Sequence, residues 1–151
     1  ATYRDYNVTH HDSLAREFPG VRATLGELAQ RGYRMGVVTS KSRNIGRQSM
    51  SLIGAGPEFE TVVFMEDTER HKPFPDPLFA ALDRLRLREQ ANRAIFVGDS
   101  THDLRAGRAA GVQTGAALWG PFPPKSLLAL GPDHVLPSIE SILDLCPVRR
   151  A

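Results

Sequence analysis

Five polar residues follow three short apolar runs, and their types suit the binding of phosphate and a hard cation. Thr39 and Ser40 end the run MGVVTS, Lys72 lies in the segment HKPFPDP, and Asp99 and Asp103 follow the run IFVG. Hydroxyl groups, together with backbone N–H groups at a helix N-terminus, bind phosphate oxygens, and a lysine adds a point charge that offsets the phosphate. Carboxylates suit Mg²⁺, which prefers oxygen ligands and takes few of them from the protein. The set therefore predicts a site for a phosphoryl group and Mg²⁺.

These residues also have structural readings that need no ligand. The hydroxyl residues fit helix caps, and the lysine, taken alone, fits a solvated surface side chain. Ser100 and Asp103 match the capping-box pattern, with aspartate in place of glutamate. Asp99 is the hardest to explain in this way. It directly follows an apolar run and Gly98, where a buried carboxylate is costly without a partner.

The elements that must position these residues alternate along the chain. Short apolar runs without in/out alternation predict strands buried on both faces, and amphipathic patterns between them predict helices. The predicted strands cover 33–39, 61–66, 94–99, 112–118 and 133–138, and the helices include 43–53, 78–88 and 101–111. This order predicts an α/β fold, a doubly wound, mostly parallel, Rossmann-like sheet with helices on both faces. Sites in such sheets form at the carboxyl ends of the strands, where all five residues fall, together with Glu66, Asp67 and the Trp119–Gly120 region.

Composition excludes several classes of partner. The 151 residues carry 19 basic and 17 acidic side chains, and the only basic block is Arg149–Arg150, so we expect no nucleic-acid partner. No apolar run approaches the length that spans a membrane, so we expect no membrane partner either. The single cysteine, Cys146, excludes an internal disulfide and fits a reducing compartment, so we expect a cytoplasmic protein. Nothing in the sequence indicates an oligomeric state.

The three segments MGVVTSK, HKPFPDP and IFVGDSTHDLRAGRAAG, in this order and spacing, resemble motifs II, III and IV of the haloacid-dehalogenase (HAD) phosphohydrolase superfamily. The resemblance runs from about Gly20 to residue 145. The preceding segment TYRDYNVTHHDSLAREFPGV resembles the last helix of a small helical cap and its hinge. The resemblance thus divides the chain into a cap remnant, 1–18, and an α/β core, 19–151. A narrower similarity is to bacterial pyrophosphatases of the phosphoglycolate-phosphatase-like branch.

The resemblance implies a role for each candidate residue. Thr39 would bind the transferring phosphoryl group, assisted by Ser40, and Lys72 would neutralise the phosphoryl oxygens and the nucleophile. Asp99 would ligate Mg²⁺ directly or through water, and Asp103 would hold the metal's water shell or orient Lys72. The implied activity is Mg²⁺-dependent hydrolysis of a small phosphorylated metabolite or pyrophosphate through an aspartyl-phosphate.

One departure from the family pattern concerns the nucleophile. HAD enzymes use the first aspartate of a DxD motif that ends the first core strand, and no such motif precedes Thr39; the only earlier aspartates are Asp5 and Asp12, in polar sequence. We therefore expect the nucleophile to lie upstream of this chain, and the chain alone to be inactive. The missing strand would be central. Without it, either the strands ending near Thr39 and Asp99 are left with unpaired edges, or they close the gap and pair directly.

Two other functions remain open at this point. The missing motif motivates the first of them, a non-catalytic relative that binds phosphate or a protein partner. An unrelated nucleotide-binding domain of the same architecture is the third reading. The chain has no glycine-rich loop between a strand and a helix of the kind that cradles nucleotide phosphates, which weakens this third reading.

Overall fold

In the part of the chain that the structure describes, six parallel strands form one sheet, and helices alternate with them. The computed structural model describes residues 2–3, 20–52 and 56–148. The strands are β1 (Thr2–Tyr3), β2 (Met35–Val38), β3 (Phe59–Val63), β4 (Ile95–Gly98), β5 (Gln113–Ala117) and β6 (His134–Leu136). The helices are α1 (Val21–Gln30), α2 (Arg43–Leu52), α3 (Asp76–Arg84), α4 (Thr101–Ala110), α5 (Pro124–Leu128) and α6 (Ile142–Leu145). The strand order is β3-β2-β1-β4-β5-β6, with every neighbouring pair parallel, which confirms the predicted α/β fold.

Both faces of the sheet are covered, which explains the lack of alternation in the apolar runs. Met35 and Val37 of β2 belong to a core cluster with residues of α1 and α6, whereas Val38 belongs to a cluster with residues of α3 and α4. All four residues of β2 are buried. Burying a valine or leucine side chain completely stabilises the fold by roughly 1.5–3 kcal/mol. A strand such as β2 would therefore not form if both of its faces were exposed to water. In the described part of the chain, no helix combines the length and apolar character needed to cross a membrane.

The centre of the sheet differs from both arrangements that the sequence suggested. β2 and β4 do not pair directly, because β1 lies between them: Thr2 pairs with Gly36 on one side and with Phe96 on the other. Thr2–Tyr3 is therefore strand, not the helix predicted for residues 1–18. The physical reason is that two buried strand edges offer rows of unpaired N–H and C=O groups, and a strand satisfies both rows. Residues 4–19 lie outside the described part, so the predicted cap helix and the division at residue 18 remain predictions.

The strand predicted for 61–66 starts and ends earlier, at Phe59–Val63. Its last residues form a short 3₁₀ turn, Met65–Asp67, instead. The N–H of Met65 donates to the Lys41 carbonyl at 2.9 Å, and the N–H of Phe64 donates to Asp67 Oδ2 at 2.8 Å. Both bonds fix the backbone of this turn, and periodicity alone does not reveal them.

Candidate active site

A buried ion pair joins the segment before α3 to the first turn of α4. Lys72 Nζ lies 2.8 Å from Asp103 Oδ1, and the two side chains are 3% and 0% exposed. The same ammonium group donates to the Val38 carbonyl at 3.4 Å and lies 5.6 Å from the centre of the Phe96 ring. Because Val38 ends β2 and Phe96 belongs to β4, the ammonium group of Lys72 lies between these two strands, near the carboxyl end of β2.

Asp103 also fixes the start of α4. Its Oδ2 accepts hydrogen bonds from the backbone N–H groups of Asp99 and Ser100, each at 3.2 Å. Its own N–H donates to Ser100 Oγ at 3.2 Å, which completes a capping box. The capping role predicted for Ser100 and Asp103 is therefore confirmed. Both Asp103 oxygens contact protein groups, which fits the orientation of Lys72; the alternative role in the metal's water shell stays a prediction.

Asp99 and Asp103 occupy space that side chains at two glycines would fill. A Cβ atom at Gly98 would lie 2.2 Å from Asp103 Cβ, and one at Gly120 would lie 2.5 Å from Asp99 Cβ and 2.6 Å from Asp99 Oδ2. Asp99 is 0% exposed and directly follows β4. A buried carboxylate held in such a cradle at the carboxyl edge fits Mg²⁺, which needs only one or two carboxylates besides water and phosphate oxygens. The described residues contain no group of three or more His, Cys, Asp or Glu side chains arranged for a metal, as an all-protein cage would require.

Thr39 and Ser40 lie at the end of β2, next to the residue that Lys72 contacts. Thr39 is buried, its N–H donates to the Val63 carbonyl at 3.0 Å, and its Oγ1 accepts from the Lys41 N–H at 3.1 Å. Ser40 is exposed. The loop then leads into the N-terminus of α2, where backbone N–H groups favour an anion. The structure thus brings Thr39, Lys72, Asp99 and Asp103 to one edge of the sheet.

Arg43 is a residue that the sequence reasoning missed. Its N–H donates to Glu66 Oε1 at 2.9 Å and to Oε2 at 3.0 Å, and its guanidinium forms an ion pair with Asp67. The guanidinium also lies 4.8 Å from the centre of the Phe64 ring. These contacts tie the first residue of α2 to the end of β3 and so fix the loop that carries Thr39. The position of the two carboxylates after a strand was visible in the sequence, but their partner was not.

The Asp67 carboxylate is held in its charged form. Burial acts to raise the pKa of Asp67, but the Phe64 N–H and the guanidinium groups of Arg43 and Arg84 outweigh it and lower the pKa below its ordinary value. The Asp67 side chain is 10% exposed, and Arg84 Nη2 lies 3.6 Å from its Oδ2. A group whose pKa is lower in the folded state stabilises the fold above its unfolded pKa, and that stabilisation is lost as the pH falls through the folded value.

We expect Asp67→Asn to lower the free energy of unfolding by about 2 kcal/mol at pH 7, because charge-assisted hydrogen bonds to a nearly buried group are lost. The difference from the unchanged protein should shrink as the pH falls below about 4, the ordinary range of an aspartate. Urea unfolding of both proteins at a series of pH values measures this. The matched control is Asp83→Asn, which removes a carboxylate 58% exposed and 3.3 Å from Arg88 and should change stability little. A difference that stays constant down to pH 3 would contradict the expectation.

Comparison with known proteins places this geometry in a family. The family model described as haloacid dehalogenase-like hydrolase matches residues 1–117. The pyrophosphatase PpaX of Bacillus velezensis is 37% identical over 147 residues, which cover 97% of this chain and 67% of that protein. The pyrophosphatase PpaX of Halalkalibacterium halodurans is 34% identical over 149 residues, which cover 99% of this chain and 68% of that protein. The chain therefore spans about two thirds of the length of these relatives.

Solved structures show the same fold. A predicted phosphoglycolate phosphatase from Haemophilus somnus 129PT superposes with a TM-score of 0.79 at 25% identity, covering 86% of this chain and 57% of that one. A HAD-superfamily hydrolase of subfamily IA from Geobacter sulfurreducens PCA superposes with a TM-score of 0.72 at 26% identity, covering 90% of this chain and 60% of that one. The resemblance seen in the three sequence motifs is thereby confirmed, and the chain belongs to the haloacid dehalogenase-like hydrolase family.

Proposed function

We propose that this chain carries the phosphate- and metal-binding residues of a Mg²⁺-dependent phosphatase that hydrolyses a small phosphate ester or pyrophosphate. The buried Lys72–Asp103 pair beside Asp99 is the observation that carries the proposal. A buried ammonium group needs compensation, and a lysine placed between two strand ends at the sheet's carboxyl edge is suited to offset the charge of a phosphoryl group. The similarity to pyrophosphatases supports this substrate class.

Each residue has a distinct role in the proposal. Thr39 and Ser40 bind phosphoryl oxygens, Lys72 neutralises charge on the transferring group, and Asp103 holds Lys72 in place. Asp99 is the carboxylate ligand of Mg²⁺, whose chemistry at this site is to stabilise charge on the phosphoryl oxygens. None of these residues is the aspartate that becomes phosphorylated in the route implied by the family. Their contribution is electrostatic stabilisation and positioning around that step.

Two observations support finer parts of the proposal. Pyrophosphate is the substrate named for the relatives, so it is the first substrate to test. Cys146 is buried and is the single cysteine of the sequence, so it forms no internal disulfide, which fits the reducing cytoplasm that we propose as the protein's location.

The proposal is tested by measuring phosphate release by the full-length protein from pyrophosphate, phosphoglycolate and p-nitrophenyl phosphate, with Mg²⁺ and with EDTA. We expect release that requires Mg²⁺, with one small substrate strongly preferred. Release that is equal in EDTA would contradict the metal assignment. Binding of phosphate and Mg²⁺ by calorimetry without any turnover would instead support a non-catalytic, phosphate-binding relative.

A further inference from the structure

Gly120 lies against the Asp99 side chain. Asp99 is 0% exposed, so protein atoms surround it. A Cβ atom added at Gly120 would come within 2.5 Å of Asp99 Cβ, 2.6 Å of Oδ2 and 2.9 Å of Cγ. The clash would thus involve the root of the aspartate side chain as well as its tip. A rotation of the carboxylate about its own bond does not relieve a contact to Cβ, so either Asp99 or the loop that carries Gly120 must move.

The loop that carries Gly120 is anchored on its N-terminal side. The Leu118 N–H donates to the Leu136 carbonyl at 3.0 Å, which continues the pairing of β5 with β6. Trp119 packs against the core cluster that contains Val97 and Ala117. Retreat of the loop would therefore disturb the core. The displacement is expected to fall on Asp99.

Size, and not backbone conformation, is what requires glycine here. Gly20, Gly32, Gly111 and Gly131 have φ values between +62° and +84°, in the left-handed region that penalises other residues. Gly120 is outside that region. Alanine at Gly120 is thus acceptable to the backbone, and its effect reports the contact with Asp99.

We propose that Gly120 is a positioning residue that sets the affinity of the site for Mg²⁺, because its lack of a side chain leaves the space in which the Asp99 carboxylate lies. The inference rests on the proposed role of Asp99 as the metal ligand. Residues that position a metal ligand typically change metal affinity 10- to 100-fold when they are altered. The glycine has no part in the chemistry, so its effect should appear in metal binding before it appears in the turnover of the metal-saturated protein.

The test is titration of the full-length protein with MgCl₂ by calorimetry, for the unchanged protein, Gly120→Ala and Gly26→Ala. We expect Gly120→Ala to raise the Kd for Mg²⁺ about 10- to 100-fold. The matched control Gly26→Ala lies in α1, where an added Cβ would meet nothing within 4 Å, and should leave the Kd unchanged. In activity assays, Gly120→Ala should raise the Mg²⁺ concentration for half-maximal rate far more than it lowers the maximal rate.

A second measurement separates the contact from general misfolding. Asp99→Gly removes the atoms with which the new methyl group would clash, so Gly120→Ala should lower the Tm less in the Asp99→Gly background than in the unchanged protein. Equal Mg²⁺ affinity of Gly120→Ala and the unchanged protein would overturn the inference while leaving the proposed function intact. An equal loss of Tm in both backgrounds would also overturn it, since Asp99 would not be what the methyl group displaces. Absence of Mg²⁺ binding in the unchanged protein would overturn the proposed function itself, and this inference with it.

Discussion

Replacing Lys72 with alanine is expected to lower the rate of phosphate release by the full-length protein about 10²–10³-fold, because one preorganised charge on the transferring group is lost. The same change should lower the free energy of unfolding by about 3 kcal/mol. Removing one partner of a buried ion pair leaves the other charge uncompensated, and Asp103, at 2.8 Å from Lys72 Nζ, is 0% exposed. The remaining hydrogen bonds from the Asp99 and Ser100 N–H groups keep this cost near the lower end for buried pairs. Steady-state kinetics and urea unfolding measure the two effects.

A double variant and a control variant separate the effect of Lys72 on stability from its effect on activity. Lys72→Ala combined with Asp103→Asn removes both charges, so it should recover part of the stability lost by Lys72→Ala but none of the activity. Arg70→Ala is the matched control. It removes a cation two residues away, 62% exposed and 3.1 Å from Asp76, and it should change both quantities little. Near-normal turnover by Lys72→Ala would contradict the role of Lys72, whatever its stability.

Replacing Asp99 with asparagine is expected to lower Mg²⁺-dependent phosphate release about 10²-fold or more, because a neutral amide oxygen is a weaker ligand for a hard cation than a carboxylate. The stability of the protein without Mg²⁺ should not fall with the activity. Asp99 is 0% exposed, and a neutral amide in its place removes the cost of keeping a charge out of water. We therefore expect the Tm without Mg²⁺ to be equal to or higher than that of the unchanged protein.

The loss of activity without a loss of stability tests whether Asp99 binds the metal. Thermal melts with and without MgCl₂ should show a metal-induced rise in Tm for the unchanged protein and a much smaller rise for Asp99→Asn. Asparagine keeps the shape of the side chain, so loss of packing does not account for the difference. Asp144→Asn, a change of an exposed aspartate in α6, should keep the full metal response. A metal-induced rise in Asp99→Asn as large as in the unchanged protein would refute the assignment.

Sequence reasoning recovered the features that local patterns control. Uniformly apolar runs indicated a parallel sheet, since strands such as β2 are buried on both faces. The Ser100–Asp103 spacing indicated the capping box, because a cap is made within four residues. The rule that sites form at the carboxyl ends of parallel strands was enough to predict that Lys72 and Asp103 lie at the same edge of the sheet.

The features that were missed depend on contacts between distant residues. Arg43 pairs with Glu66 and Asp67 across a loop and a strand, and nothing in the local pattern of α2 marks it. The close approach of Gly120 to Asp99 is likewise set by packing between two loops. β1 was misjudged because Thr2–Tyr3 is too short for any periodicity, and its conformation follows from the hydrogen-bonding demand of its two neighbours.

The pairing of β1 also has a consequence for the order in which the chain folds. β2 pairs with β3, β4 with β5, and β5 with β6, through segments close in sequence, whereas β1 joins the two groups by contacts such as that of residue 2 with residue 96. Contacts between residues far apart in sequence close loops at the greatest entropic cost and form late. Thr39 belongs to the first group and Asp99 and Asp103 to the second. The residues proposed to bind phosphate and Mg²⁺ are therefore expected to meet only late in folding, so that partly folded chains would hold neither ligand and ligand binding would report the completed sheet.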